Sequence, residues 1–512
     1  KNISNLITKS IWEAGKRGAI GAAGAIADVI SGAQPTNFMY GKKDKPGGRS
    51  PEYSIHSSVA DRAASGAEKI NNSLISKLSM SRKTSSSFNR LPKTGYNREG
   101  WRDSDKIKND ASRTYLNNNN GHTTEIIKEY FNKQETIHPE SYGDVIKATA
   151  DNLGPIKDDC KVSIAIPALG EEASIKNTLE QFSKLKPEDR KLFEVCILDT
   201  HPIASTDRTE EIVRDFMTRN PDMNIVYIKR DVEINTNVGE SRKFLNDVIL
   251  ERVQKMSDEN KKENHIIVSQ DADLETFESK DYISNIINKF ERDPNLEVLT
   301  GRSNLSREAL TQAPAVLAAW RTWRTFDTMV DKAHKTVEKT IGTNTAIKAR
   351  TLAGIGGYNP YLLIAEDLDI GWKVKSLKGK EKVTYSPSFG LEGEARRAFV
   401  AHMNGVPIIH MYDSFDDNKG LRGKDWKDIL RENPDAFEFT MEKYTKELQA
   451  LYNYCIRSGL STDIFDNTMK TLGVKYSIDD GNVVIDPSTT INIADVIDRE
   501  KRALERRKRA MA

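Results

Sequence analysis

From residue 161 onward the chain repeats a pattern that few folds can satisfy: a short apolar run, a polar or turn residue, then a stretch with helical spacing. The runs occupy residues 161–167, 193–199, 224–229 and 265–271, and helical patterns fill 172–185, 206–219 and 238–256 between them. Strand and helix alternating at this spacing build βαβ units, whose parallel strands are buried on both faces and so read as near-continuous apolar runs. The expected fold class is therefore α/β, a mostly parallel sheet flanked by helices. Each run closes on a polar or turn residue, which lines Pro167, Asp199 and Asp271 along one edge. That carboxyl edge is where such sheets bind ligands.

The fourth run ends in Asp271-Ala272-Asp273. Residues two apart on an extended chain point the same way, so both carboxylates can face one ligand. Oxygen donors held at a strand end suit Mg²⁺ or Mn²⁺ bridged to a diphosphate. A lone Asp-x-Asp triplet also arises by chance in surface loops, and it needs company to mean anything.

Outside this region the composition changes. Only 37% of the 512 residues are hydrophobic, low for a chain that packs throughout. The first 120 residues hold 20 Lys and Arg against 10 Asp and Glu, so a whole-chain charge of +2 leaves the remainder net acidic. Residues 1–33 have amphipathic spacing through Ile3, Leu6, Ile7, Ile11 and Trp12; beyond them Ser, Asn, Lys, Arg and Gly dominate. Such a stretch cannot bury enough apolar surface to offset its ordering entropy, so residues 1–122 are expected to be a basic, low-complexity, largely disordered extension. Residues 123–160 read as a helical lead-in. No run reaches transmembrane length, the most apolar early stretch being interrupted by Asp28. Cys160, Cys196 and Cys455 are odd in number and far apart, which favours a reduced, cytoplasmic setting over a disulfide framework. That setting can be peripheral to a membrane or an assembly.

Several motifs stand in a telling order: Ser163-Ile164-Ala165-Ile166-Pro167 through Glu171-Glu172, Asp199-Thr200 followed by Ser205-Thr206-Asp207, and Asn237-Val238-Gly239-Glu240-Ser241-Arg242-Lys243. The Asp271 triplet follows, then Gly342-Thr343-Asn344-Thr345-Ala346, Gly356-Gly357-Tyr358 and Glu366-Asp367-Leu368-Asp369. In these the domain resembles the family 2 glycosyltransferases of GT-A fold, over roughly residues 161–410. It departs from them at Gly170, where the family usually has Asn, at Thr200 in place of a second Asp, and in an apparent insertion at 201–204.

The resemblance implies a sugar transferred from a nucleotide-diphosphate donor to an acceptor hydroxyl, with inversion. It places Pro167 in the nucleotide loop and has Glu171 and Asp199 holding base and ribose, although Glu171 also reads as a helix-start carboxylate and Asp199 as a turn residue. Arg242 would meet the phosphates or else sit with Lys243 on a solvated helix face. Asp273, with Asp271 contributing directly or through ribose and water, would hold Mn²⁺ or Mg²⁺ against the leaving diphosphate. Asp367 would be the general base, with Glu366 beside it at a helix start. Arg396 would face donor or acceptor, and His410 would complete the metal site unless it is a satisfied structural histidine. The Gln-x-x-Arg-Trp pattern of processive polymer synthases is absent.

Trp320 and Trp323 lie in a long helical stretch at 308–339 and read as core. The catalytic domain is expected over 161–415, and residues 416–512 as a mainly helical appendage ending in the basic run Arg506-Arg507-Lys508-Arg509. That tail and the basic extension could meet an anionic surface or a protein partner; a solvated tail is the plainer reading. Two rival functions are a nucleotidyltransferase, disfavoured by the acidic loop after Pro167, and an interaction protein using the domain as a platform. The sugar, the base and the acceptor stay open.

Overall fold

The computed structural model describes residues 121–137, 142–202, 205–232, 237–334, 340–360, 366–411 and 424–511. Of the expected disordered extension only Gly121 and His122 fall within these residues; the amphipathic pattern at 1–33 lies outside them, as do residues 203 and 204 of the insertion.

Eight strands form one sheet: β1 (Val162–Ala168), β2 (Phe193–Pro202), β3 (Ile225–Val232), β4 (Ile266–Ser269), β5 (Leu274–Phe277), β6 (Val298–Leu305), β7 (Thr345–Lys348) and β8 (Val383–Gly393), in the order β3-β2-β1-β4-β7-β6-β8-β5. The β3, β2, β1 and β4 strands pair in parallel, as do β6 and β8, while β7 and β5 pair antiparallel with their neighbours. The α/β, mostly parallel sheet expected from the apolar runs is thus present. Its antiparallel members, β7 and β5, are only four residues each, too short for a periodicity that would separate them from buried helix.

Alternation along β1 divides the core between the two faces. Ile164, Ile166 and Ala168 pack with α3 (Ile175–Ser183), α4 (Thr209–Arg219) and the helix Tyr282–Arg292. Ala165 faces the other side, against α5 (Val238–Gln254) and the lead-in helices α1 (Thr123–Ile137) and α2 (Tyr142–Leu153). Asn237 caps α5 by accepting from Glu240 N at 2.8 Å, satisfying one of the first-turn donors. Lys243 on α5 is buried, not solvated: its Nζ donates to Asp247 Oδ2 and to Tyr130 Oη, each at 2.7 Å, and Tyr142 Oη donates to Asp247 at 2.7 Å. This polar knot ties α1 and α2 to α5, so the lead-in covers the sheet.

A second buried network closes the amino ends of the strands. Arg252 binds Glu194 through two nitrogens at 2.7 and 3.0 Å, Ser163 Oγ donates to Glu194 at 2.7 Å, and His265 Nε2 lies 2.9 Å from Ser163 Oγ. Taking one partner from a buried pair of this kind costs about 3–5 kcal/mol, since the other charge is left uncompensated.

The expected helix over 308–339 is broken within its first turns. It forms as Arg307–Gln312 and then α6 (Pro314–His334), with Ala313 between them at φ −126°, ψ 75°. Proline bars the preceding residue from helical geometry and brings no N–H, so it begins a new helix. Trp320 and Trp323 stack at 4.9 Å between centroids and pack into the core there, as expected. Around α6 gather α7 (Met441–Arg457), α8 (Thr462–Leu472) and the hairpin of β9 (Tyr476–Asp479) and β10 (Asn482–Ile485). The last helix, α9 (Ile493–Met511), is docked rather than solvated. Arg507 pairs with the fully buried Glu392 of β8, Arg307 Nε meets Glu500 at 3.1 Å, and Leu504 is buried. Among the described residues no helix is long and apolar enough to cross a membrane.

Candidate active site

β1 leads into the site through Pro167. Ala165 O accepts from Gln270 N at 3.1 Å, the last rung on the β4 side, and Pro167 comes two residues later, where no partner strand remains to need its N–H. The loop then turns at Gly170, φ +69°, in the left-handed region that Gly and Asn tolerate best. Gly in place of the family's Asn therefore preserves the turn. Glu171 follows, accepting from Ser174 Oγ at 2.7 Å and lying 3.6 Å from Arg396 Nη2. Burial raises its pKa, Arg396 lowers it and Asp273 raises it again, to about 7.

Asp199, near the end of β2, is fully buried. Its Oδ2 accepts from Tyr227 Oη at 2.6 Å, while its Oδ1 is buried with no hydrogen-bond partner. Desolvation lifts its carboxyl above the usual range. An acceptor open at a sheet's ligand edge is available to a donor from water or from a ligand. Asp199, His201 and Asp207 bring ligand atoms within 4.8 Å of one another, but Asp207 is engaged by Thr209 N at 3.0 Å and Glu172 N at 3.3 Å.

The organising residue of the site is Arg242, placed by the first turn of α5 and almost completely buried. Nε donates to Glu366 Oε1 at 3.0 Å, Nη2 to Asp271 Oδ1 at 2.5 Å and Nη1 to Ser269 Oγ. Burial works against its charge, but Asp271 and Glu366 outweigh it and hold the pKa above its ordinary value. Asp271 and Asp273 do not prolong the strand: β4 ends at Ser269, and the two acids sit in the turn before β5. Asp273 still feels its neighbour. Asp273 is lifted by burial and then by the charge of Asp271, against the pull of Arg396 and Arg397.

The helix Glu366–Lys378 brings in the second acidic pair. Glu366 is pushed to about 7 by burial and by Asp367, with Arg242 opposing. Asp367 is also raised by burial, and it is pinned: Oδ2 accepts from Gly342 N at 2.5 Å and Oδ1 from Leu368 N at 2.9 Å. Thr340 Oγ1 donates to Asp367 O at 2.6 Å, so the loop before β7 holds this helix start.

Arg396 opens the helix Arg396–Met403 beside Glu394, whose carboxyl burial lifts to about 8. His410 ends the short turn Ile408–His410, which packs on α6, α7 and the Arg396 helix. The ligand atoms of Asp271, Asp273 and His410 do not all come within 4.8 Å of one another. Sequence reasoning passed over Ser269, Tyr358 and Glu394 as site residues. Tyr358 is buried, hydrogen-bonded to Ser269, and raised to about 12 mainly by burial. Only its place after two glycines, and Glu394's place beside Arg396, could have pointed to them.

Carboxylates crowded into one buried site, supplying oxygen donors only, fit a hard divalent cation, because a positive charge between them would relieve the repulsion. A sheet carrying such a cluster at its carboxyl edge, beside the open Asp199 acceptor, offers a site for a nucleotide together with a cation. Residues 163–239, from β1 into α5, match the family model Glycosyl transferase family 2. Similar solved structures include the mannosyltransferase PcManGT from Pyrobaculum calidifontis in complex with GDP-Man and Mn²⁺: 14% identity, covering 68% of this chain and 98% of that one, TM-score 0.32. Another is glucosyl-3-phosphoglycerate synthase from Mycobacterium tuberculosis with Mn²⁺, UDP-glucose and phosphoglyceric acid, at 12% identity, 62% and 84% coverage and TM-score 0.27. S. aureus TarS 1-349 is similar at 14% identity, 64% and 96% coverage and TM-score 0.29. At such scores these likenesses carry no argument about the site. No curated protein matches the chain.

Proposed function

We propose that this chain transfers a sugar from a nucleotide-diphosphate donor to an acceptor hydroxyl, with inversion. The observation that carries this reading is the meeting of Asp271, Glu366 and Ser269 on one buried arginine, with Asp273 and Asp367 alongside. Asp199 Oδ1 would accept an N–H of the base. Uracil and guanine present a ring N–H for it; adenine and cytosine present only an exocyclic amine at that edge. Asp271 and Asp273 would hold Mn²⁺ or Mg²⁺, with His410 the further ligand that the family resemblance implies. A cation bound there supplies Lewis-acid neutralisation of the leaving diphosphate.

Arg396, next to Glu171 and Asp273, would meet the donor's phosphates. Arg242 is fully engaged with protein acceptors, and its service to the donor is to hold Asp271 and Glu366 in place. Asp367, pinned by two backbone N–H groups, would take the proton of the acceptor hydroxyl as the new bond forms from the face opposite the leaving group. Glu366 shares the negative charge of that step. The three cysteines are free and buried, which supports a reducing, cytoplasmic setting.

The test is Mn²⁺-dependent binding of UDP- and GDP-sugars, read by calorimetry on the intact chain and on Asp273→Asn. The substitution removes anionic charge while keeping shape, so the metal-dependent part of binding should vanish with the fold intact. Undiminished Mn²⁺-dependent binding by the folded variant would place the cation elsewhere.

A further inference from the structure

The outward face of α9 has no part in the proposed transfer. Its inner face is anchored by Arg507 on Glu392, by Glu500 on Arg307 and by buried Leu504, while Val496 and Ile497 pack against a core cluster. Arg499, Arg502, Arg506 and Arg509 recur at i, i+3, i+7 and i+10, and all four are exposed. At 1.5 Å per residue they form a ridge about 15 Å long on one side of a docked helix. None of the four has a carboxylate within 4.0 Å among the described residues. This ridge stands on an acidic body: beyond residue 120 the chain is net −8, given +2 overall and +10 before it.

We propose that this arginine ridge is a docking surface for an anionic lipid bilayer, holding the enzyme flat against a layer of phosphate headgroups. The ridge is made of arginines without the Asn or Gln side chains that read base edges in the major groove, so it offers phosphate contacts and no base readout. The ridge also lacks the aromatic residues on which single-stranded bases stack. A planar array of phosphates needs neither a protruding helix nor a stacking platform, and guanidinium groups bind phosphate in two-pronged fashion. No apolar side chain of large size stands among the four arginines, and the exposed Asp495, Asp498 and Glu505 beside them are outnumbered by the arginines with Lys501 and Lys508, so the contact is electrostatic adhesion of modest net charge and is screened by salt.

The experiment is sedimentation of the full chain with vesicles of phosphatidylcholine alone or with 30% phosphatidylserine, at roughly 50 and 300 mM salt. Each basic residue near such a surface is worth about fivefold in partitioning. The quadruple variant Arg499→Gln, Arg502→Gln, Arg506→Gln, Arg509→Gln should therefore lose more than about a hundredfold on the anionic vesicles, with an unchanged thermal midpoint. The corresponding four-Lys variant should keep most of the binding, and high salt should abolish it. The basic residues before position 121 supply an internal contrast: anionic-vesicle binding that survives the quadruple Gln change belongs to them and overturns the proposal. Loss of binding to a single-stranded or duplex oligonucleotide, with vesicle binding unaffected, overturns it in favour of a nucleic-acid partner.

Discussion

Arg242 shows how a residue's chemistry depends on what surrounds it. Placed by sequence at a helix start near phosphates, it instead spends its donors on Glu366, Asp271 and Ser269. In the proposed mechanism Asp367 is the residue whose loss would separate a working transferase from a sheet that only binds nucleotide sugars. Asp367→Asn keeps size and polarity but cannot take a proton, so kcat and kcat/KM should fall together by roughly 10²- to 10⁴-fold, with donor affinity nearly unchanged. Near-normal turnover in the folded Asn variant would reduce Asp367 to a helix cap. A separate prediction concerns His265, at the opposite edge. Burial depresses its pKa from 6.5 to about 4, with Arg252 lowering it further and Glu194 opposing. The folded state thus favours neutral histidine, and its stabilising contribution is complete above pH 6.5 and is lost as the pH falls from there toward 4. Urea unfolding at pH 7 and pH 5 should show the parent losing about 2 kcal/mol more than His265→Gln. Equal losses would mean that His265 is protonated in the fold.

At the scale of elements, the site depends on how closely the loop before β7 approaches α5. Gly342 N reaches Asp367 at 2.5 Å, and a Cβ on Gly342 would stand 2.7 Å from Arg242 Nη2 and 3.3 Å from Asp367 Oδ2. A flexible side chain could step aside, but Arg242 is tethered on three sides. Gly342→Ala should therefore move the bracket that holds the acids and lower kcat by about tenfold or more, at a stability cost of roughly 1–3 kcal/mol. Unaltered kcat would show that the bracket need not be held in register. The break before Pro314 belongs to this scale as well. Its signal was in the sequence, one proline inside an otherwise helical pattern, and the reading at 308–339 gave periodicity more weight than the missing N–H.

At the scale of the whole molecule, the chain returns to itself. α9, nineteen residues at the far end, sends Arg507 to Glu392, a buried acid on β8 that also receives Arg307 at 3.2 Å. Arg507→Met should cost about 2–3 kcal/mol in urea unfolding, less than the loss of a sole partner because Arg307 remains. A change below about half a kcal/mol would mean that α9 rests on the sheet without fastening it.

The βαβ order, the carboxyl-edge placement of Asp199 and Asp271, and the helix opening at Glu366 were legible in the linear chain. They follow from periodicities of two and 3.6 and from residues that end strands or start helices, all local physics. The short strands β5 and β7, the three-way engagement of Arg242, the orphaned Asp199 Oδ1 and the docking of α9 were not legible. Each depends on which residues tens to hundreds of positions apart come together, as Arg242 does with Glu366 and Arg507 with Glu392, or fail to, as at Asp199 Oδ1. Local propensity carries no information about such pairs. Burial decides them, because a charge removed from water must find an opposite charge or hydrogen-bond partner wherever the packed fold provides one.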